Sequence, residues 1–425
     1  MKDEEWSNFC HTIDQIYQST KFIDDGHVAD YIPQLKKANP NLYSISVYTL
    51  DGREYHIGDS EYNFCIQSCS KPISYLLALE EHGLEYVSNH IGKEPSGCKF
   101  NSFRFNDENK PFNPLINAGA IMACSLIKSK ERDDLRFDHI MNTWKQIVGE
   151  NNVEFDNTVY LSEKLTAYRN TALANIMMEN GIFPEDTDIE KTLQLYFQAC
   201  SIKMNTKALA KCAAMLCNAG TIDGKKVFSS EICKYILCIM YQSGMYDYSG
   251  RWGFDIGLPA KSGVSGAIFT VIPNFGGICT FSPRLDNNGN SVRGVRFFTE
   301  LVKYYKMHMF DQFSSNMESK KISINNETIY DIGTNRSYKE LETHLLKSGE
   351  DINKTDYDGR SLLHVLMDEK KYDSVFVLLK NNANYKLKDR WGNSLDNKQC
   401  IKIKIVLLYY FKYKMTLKSY FSRWK

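Results

Sequence analysis

The sequence predicts an α+β domain followed by a smaller all-α repeat region. Three observations carry this prediction. β-rich runs in hairpin arrangement occur near both ends of the first 310 residues, a long mostly helical stretch separates them, and a 33-residue spacing recurs after residue 338. A chain of 425 residues is long for one domain and can bury a sizeable core.

The elements follow in order. Residues 1–27 are expected as an N-terminal helical segment and 28–310 as the main domain. In "LYSISVYTLDGREYHI", residues 42–57, β-formers alternate on either side of Asp51-Gly52, a hairpin signal. "QSCSKPISYLLALEEHG", residues 67–83, has helical apolar spacing and predicts a helix closing on Gly83. From Asn117 to Met240 the pattern is mostly helical, as in "TLQLYFQAC" and in "ALAKCAAMLCNAG", which Gly220 caps. "SGAIFTVIP" and "GGICTFSP" form a second hairpin about Asn274–Gly277, and a helix is expected around 291–310. Residues 311–337 are polar and without period, the composition of a linker.

Beyond the linker, "LLKSGEDINKTDYDGRSLL" from Leu345 aligns with "LLKNNANYKLKDRWGNSL" from Leu378. The alignment sets Asp356 on Asp389, Gly359 on Gly392 and Ser361 on Ser394. This period, with "GRSLLHVL" close to the pattern G-x-T-P-L-H-x-A, resembles ankyrin repeats over 338–425. Two visible units are fewer than a free-standing stack needs, so a second surface, from the larger domain or a partner protein, is expected to support them.

Composition narrows the function classes. Fifty-two basic and 51 acidic residues leave a formal charge of +1, which gives nucleic acid no electrostatic foothold. The 12 cysteines form no C-x-x-C and have no histidine pairs at ligand spacing, so no metal site is expected and free thiols are. The longest apolar stretch, Ile401–Phe411, is broken by Lys402 and Lys404 and is too short for a transmembrane segment. The first residues contain three acids and no signal or transit pattern, so a cytoplasmic protein is expected, or a mitochondrial one if the native start lies upstream. Residues 398–425 hold eight Lys or Arg and no acid, which fits a capping helix or a contact with an anionic surface.

Ser68 and Lys71 form an S-x-x-K whose three-residue spacing puts both on one helix face. The spacing alone is common: Ser125 with Lys128 and Ser422 with Lys425 repeat it. Lys261-Ser262-Gly263 resembles the K-[ST]-G strand that accompanies S-x-x-K in penicillin-recognising serine enzymes, and the order of the motifs agrees. A turn carrying a solvated lysine is the other reading, and at this point the two stand about even.

Longer motifs decide. "ADYIPQL" (29–35), "GKEPSG" (92–97), "NPLINAGAI" (113–121), "SGMYDYSG" (243–250) and "GLPAKSGVSG" (257–266) stand in the order found in glutaminases. From about Val28 to Leu301 the chain closely resembles that family, and the ankyrin-like tail resembles its eukaryotic branch. The resemblance implies a β-lactamase-like domain, an antiparallel sheet with flanking helices and a helical subdomain. It also implies hydrolysis of the L-glutamine side-chain amide without cofactor, in a dimer or tetramer. Carried over by position, Ser68 is the nucleophile, Lys71 its base, and Tyr246 the proton-transfer partner, with Lys261 beside them. The main-chain amides of Ser68 and Val264 are implied as the oxyanion hole. Tyr31, Asn117, Glu163, Asn170 and Tyr196 are implied to hold the amino-acid end of the substrate. Tyr168, although it opens a "YRN" triplet, receives no role.

The chemistry makes one demand of its own. A lysine base must lose its proton near neutral pH, and burial with Lys261 nearby is expected to lower Lys71 to about 7. In the loop "GCKFNSFRFNDENKPF" (97–112), Ser102 and Arg104 replace a lysine and an apolar residue of phosphate-activated animal members. That departure argues against the same phosphate response and filament formation. The competing readings are another S-x-x-K serine amidase, and an inactive scaffold that binds partners through its repeats.

Overall fold

The computed structural model describes residues 2–311, 329–335, 337–348, 351–356, 359–392 and 394. The chain divides into two compact units, Met1–Ile324 and Asn325–Lys425.

The first unit opens with α1 (Asp3–Thr20). Asp3, Glu4 and Glu5 stand at its positive end, and Phe9, Ile13, Ile16 and Thr20 form its buried stripe. A short turn, α2 (Pro33–Lys36), precedes the first hairpin, β1 (Ser44–Thr49) and β2 (Glu54–Gly58), paired antiparallel with Ser44 opposite Gly58. β3 (Phe64–Cys65) then leads into a tight turn at Gln67–Ser70 and α3 (Lys71–Ser88). Gly83 does not end this helix. Its φ of 76° kinks the helix, which resumes to Ser88, so glycine here is a bend rather than a cap.

The middle of the chain is helical with small strands interleaved: α4 (Asn117–Leu126), α5 (Asp133–Val148), β4 (Glu154–Phe155), α6 (Asn157–Thr166), α7 (Tyr168–Glu179) and α8 (Ile189–Cys200). After β5 (Ile202–Met204) come α9 (Thr206–Cys217), β6 (Thr221–Ile222), β7 (Lys225–Lys226), α10 (Ser230–Ser243) and α11 (Ser249–Asp255). The sheet then resumes as β8 (Ala260–Ser262), β9 (Ala267–Ile272) and β10 (Gly276–Phe281), and α12 (Val292–Tyr304) follows.

The main sheet is five-stranded and antiparallel, in the order β2-β1-β10-β9-β8. β1 and β10, far apart in the chain, are central neighbours, with Ser44 opposite Phe281 and Thr49 opposite Gly276. Side chains alternate between two cores. Ile45, Val47, Ile268 and Ile278 pack with Phe9 of α1 and Phe297 and Phe298 of α12. Phe269, Val271, Cys279 and Phe281 join Leu209 of α9 and Trp144 of α5. Gly277 permits the close seating of α9, because a Cβ there would lie 2.2 Å from the Ala210 carbonyl oxygen. This is the expected α+β arrangement of an antiparallel sheet with flanking helices.

In the second unit, α13 (Ile329–Asn335), α14 (Tyr338–Ser348), α15 (Leu362–Asp368) and α16 (Tyr372–Lys380) enclose Leu341, Leu362, Leu366, Val375 and Leu378. α13 occupies part of the stretch whose composition suggests a linker. The turn made by Gly359 N–H to Asp356 O (3.0 Å) recurs 33 residues on as Gly392 N–H to Asp389 O (2.9 Å). The basic residues 398–425, including the third S-x-x-K, lie outside the described residues.

Candidate active site

The turn that presents Ser68 is strained. Gln67 takes φ 49°, a left-handed value costly for a side-chain-bearing residue, and Ser68 follows at the foot of α3, buried to 7% exposure. Main-chain bonds pin the turn, from Ile66 N–H to Ile202 O and from Cys69 N–H to Ile66 O. Among the described residues, neither the Ser68 nor the Val264 main-chain N–H has a hydrogen-bond partner within the protein. Both residues line one cavity, so a carbonyl oxygen entering it can be met by free amides.

Lys71, one helical turn on, is fully buried. Its Nζ donates to Asn117 Oδ1 at 2.7 Å and to Leu115 O at 3.3 Å. Asn117 begins α4 but makes no capping bond. Instead its Nδ2 donates to Asn170 Oδ1 at 2.9 Å, tying the amine to α7. Burial lowers the Lys71 pKa from 10.5 to about 8. Lys261, on β8, donates to Gly244 O (3.3 Å) and Ser262 O (2.5 Å) and lies 4.5 Å from the centre of the Tyr246 ring. Burial and then the charge of Lys71 lower it to about 7. Burial is the larger cause for both amines.

Tyr246 sits at φ 55° in a buried turn, a second strained residue. Its hydroxyl makes no full hydrogen bond. Burial raises its pKa, and the Ser68 side chain opposes the rise. The other end of the cavity is polar. The Tyr31 hydroxyl lies 2.9 Å from Gln67 Oε1 and 3.0 Å from Glu163 Oε1, and the Tyr31 ring edge is open to solvent. Burial raises the Glu163 pKa, while bonds from Tyr31 and Gln67 and the charge of Lys71 restrain it.

The cavity has a volume of about 320 Å³. The expected substrate-binding residues Tyr31, Ser68, Asn117, Glu163, Asn170, Tyr196 and Val264 line it, whereas Tyr246 lines an adjoining cavity and Lys71 and Lys261 are fully buried. Tyr168 points away, 81% exposed. The repeated pair Ser125 and Lys128 forms no such site, since Ser125 Oγ donates to Met122 O. Gln67 was not singled out by sequence. It lines the cavity with its Oε1 accepting from Tyr31, and its only signal was its place beside Ser68. Arg169 was also missed; its Nε donates to Asn101 O at 2.6 Å and its guanidinium lies 4.4 Å from the Phe103 ring centre, fastening the 97–112 loop beside the cavity. In the same loop, Arg104 contacts Cys98 Sγ. Among the described residues no group of His, Cys, Asp or Glu side chains is arranged to hold a metal, and the cysteines are free. No helix among them is long and apolar enough to cross a membrane.

Fold and site together define an α+β protein with a serine and two buried amines around one small polar cavity. The glutaminase family model matches residues 26–310, and the chain belongs to the glutaminase family. It is 43% identical over 308 residues to a glutaminase of Nostoc, covering 72% of this chain and 91% of that protein. It is 37% identical over 400 residues to the mitochondrial liver isoform of rat glutaminase, covering 92% of this chain. The chain spans just under two thirds of the length of that rat relative and of two Caenorhabditis elegans relatives. A solved structure titled as a probable glutaminase, ybaS, superposes with a TM-score of 0.66 at 35% identity, covering 71% of this chain and 97% of that one.

Proposed function

We propose that this protein hydrolyses the side-chain amide of L-glutamine to L-glutamate and ammonia through an acyl-serine. The observation that carries the proposal is the buried Lys71 amine, lowered to about 8, in the helical turn after a cavity-lining Ser68. A neutral amine there accepts the serine proton as oxygen attacks the amide carbon. The free N–H groups of Ser68 and Val264 receive the developing oxyanion. Tyr246, with Lys261 against its ring, passes a proton to the departing nitrogen, and water then repeats the sequence to free glutamate. Lowering Lys71 by two to three units represents about 3 kcal/mol of desolvation carried by the fold.

Glu163 with Tyr31 suits the substrate ammonium, and Asn117, Asn170 and Tyr196 suit the rest of the amino-acid end. Buried polar groups left unpaired reject ligands without both charges. In the second unit, the 33-residue recurrence of the glycine turn and the 2.9 Å contact between Ser361 Oγ and His364 Nδ1 support ankyrin-type repeats. Homo-oligomerisation and a protein partner for the repeats belong to the same proposal. Ammonia release from free glutamine by the purified chain tests the activity; failure to release it above the rate of Ser68→Ala would refute the reading.

A further inference from the structure

A second cavity, of about 280 Å³, adjoins the first: Phe100 lines both, Tyr246 lines the second, and Ser68, which the Tyr246 hydroxyl faces, lines the first. The Phe100 and Tyr246 rings are 4.8 Å apart between centres and tilted by 42°, and they meet where the two cavities adjoin. Leu115, whose carbonyl accepts from Lys71 Nζ, also lines the second cavity, which therefore lies behind the base. Its wall includes Ser243, whose buried Oγ has no partner, and the buried side chain of Tyr246. Its rim at Gly97, Gln242, Asp247 and Gly250 is exposed to solvent. The space is ample for water, for which roughly 10–15 Å³ suffices, and its polar wall offers hydrogen bonds to a small amine or water.

We infer that this second cavity is the route by which ammonia leaves and the hydrolytic water enters, separate from the mouth that admits the amino acid. The inference rests on the acyl-serine reading above. When the C–N bond breaks, its electron pair stays with nitrogen, which takes a proton and departs as ammonia. The glutamyl group remains on Ser68 Oγ, its charged end among Tyr31, Glu163 and Asn170, and so obstructs the first cavity. Water must then reach the acyl carbon, lose a proton to the base and form the new C–O bond as Ser68 recovers its own proton. The group placed to protonate the leaving nitrogen, Tyr246, lines the second cavity and faces Ser68 in the first. The fragment that leaves and the one that arrives are both small and polar, which suits the polar wall of the second cavity.

Ser243→Leu fills this cavity and Gln242→Trp roofs its exposed rim, and neither residue lines the substrate cavity. Each is expected to lower kcat for glutamine by about fivefold or more, with the glutamyl adduct on Ser68 accumulating at steady state in intact-mass spectra. Ser243→Ala, which leaves the space open, keeps kcat within about twofold. A merely structural disturbance lowers activity without trapping the adduct. Should Ser243→Leu fail to fold, Gln242→Trp at the exposed rim decides. With Ser68→Ala inactive, unchanged kcat in Gln242→Trp, or a fall without adduct, overturns the route. Retained activity in Ser68→Ala instead overturns the acyl-serine reading itself.

Discussion

Ser68 and the two lysines are the residues on which the proposed chemistry turns. Ser68→Ala should lower kcat by about four orders of magnitude or more, since Ser68 is the proposed acyl acceptor. Lys71→Met, similar in length, should abolish the ammonia burst while leaving the helix intact; a surviving burst would move the base to Tyr246 or Lys261. The lysines also fix a pH response. Both native values, about 8 and about 7, lie below the free value of 10.5, so above about pH 7 the unfolded chain binds more protons than the folded one. Stability therefore rises with pH from about 7 to 9, and kcat/KM rises through the same values as the amines become neutral. A denaturation midpoint that is flat or falling between pH 7 and 9, compared with a Lys71→Met, Lys261→Met control, would contradict this. At this scale the sequence was legible wherever a residue sat inside a long motif. Gln67 escaped because its contribution comes from a left-handed backbone and a buried amide, and neither leaves a periodic trace.

At the scale of elements, both hairpins and most of the helices could be read from local pattern, because alternation and helical spacing are local properties. Gly83 could not, since a glycine that bends a helix and one that ends it look alike until the following turn is placed. In "NPLINAGAI" the middle glycine has a packing cause: a Cβ on Gly119 would lie 2.0 Å from the Asn113 carbonyl oxygen. Gly119→Ala should therefore destabilise the protein by about 1–3 kcal/mol or more and displace Asn117, lowering activity beyond what the loss of fold explains. Thermal melting together with activity measured well below the midpoint separates the two effects. The 97–112 loop is the other element with a measurable consequence. Ser102 and Arg104 are the two residues of this loop from which the family resemblance leads to an altered phosphate response being expected, and Arg104 is engaged with Cys98. Activity should change by less than about tenfold between zero and high phosphate, and a larger rise would show that these substitutions leave the response intact.

For the whole molecule, every residue placed around the cavity lies within Met1–Ile324. A chain ended near Ser319 should fold and release ammonia within about tenfold of the full rate, while losing the association expected of the second unit. Light scattering with the ammonia assay tests both parts, and a folded, correctly assembled but inactive truncation would defeat this division of labour. What the sequence concealed at this scale was strand order. The pairing of β1 with β10 depends on a contact between distant segments, which no local window contains.

That pairing also sets a timetable for biosynthesis. Ser68 and Lys71 emerge early from the ribosome, but Tyr246 and Lys261 come late, and the central strand that holds the sheet together, β10, is later still. At roughly 5–20 residues per second the interval is tens of seconds. During it the nascent chain carries Ser68, the proposed nucleophile, without the partners proposed to activate it. The chain should thus be silent on the ribosome until Phe281 has cleared the exit tunnel, and a nascent chain arrested before β10 should show no reaction at Ser68 with an acylating glutamine analogue.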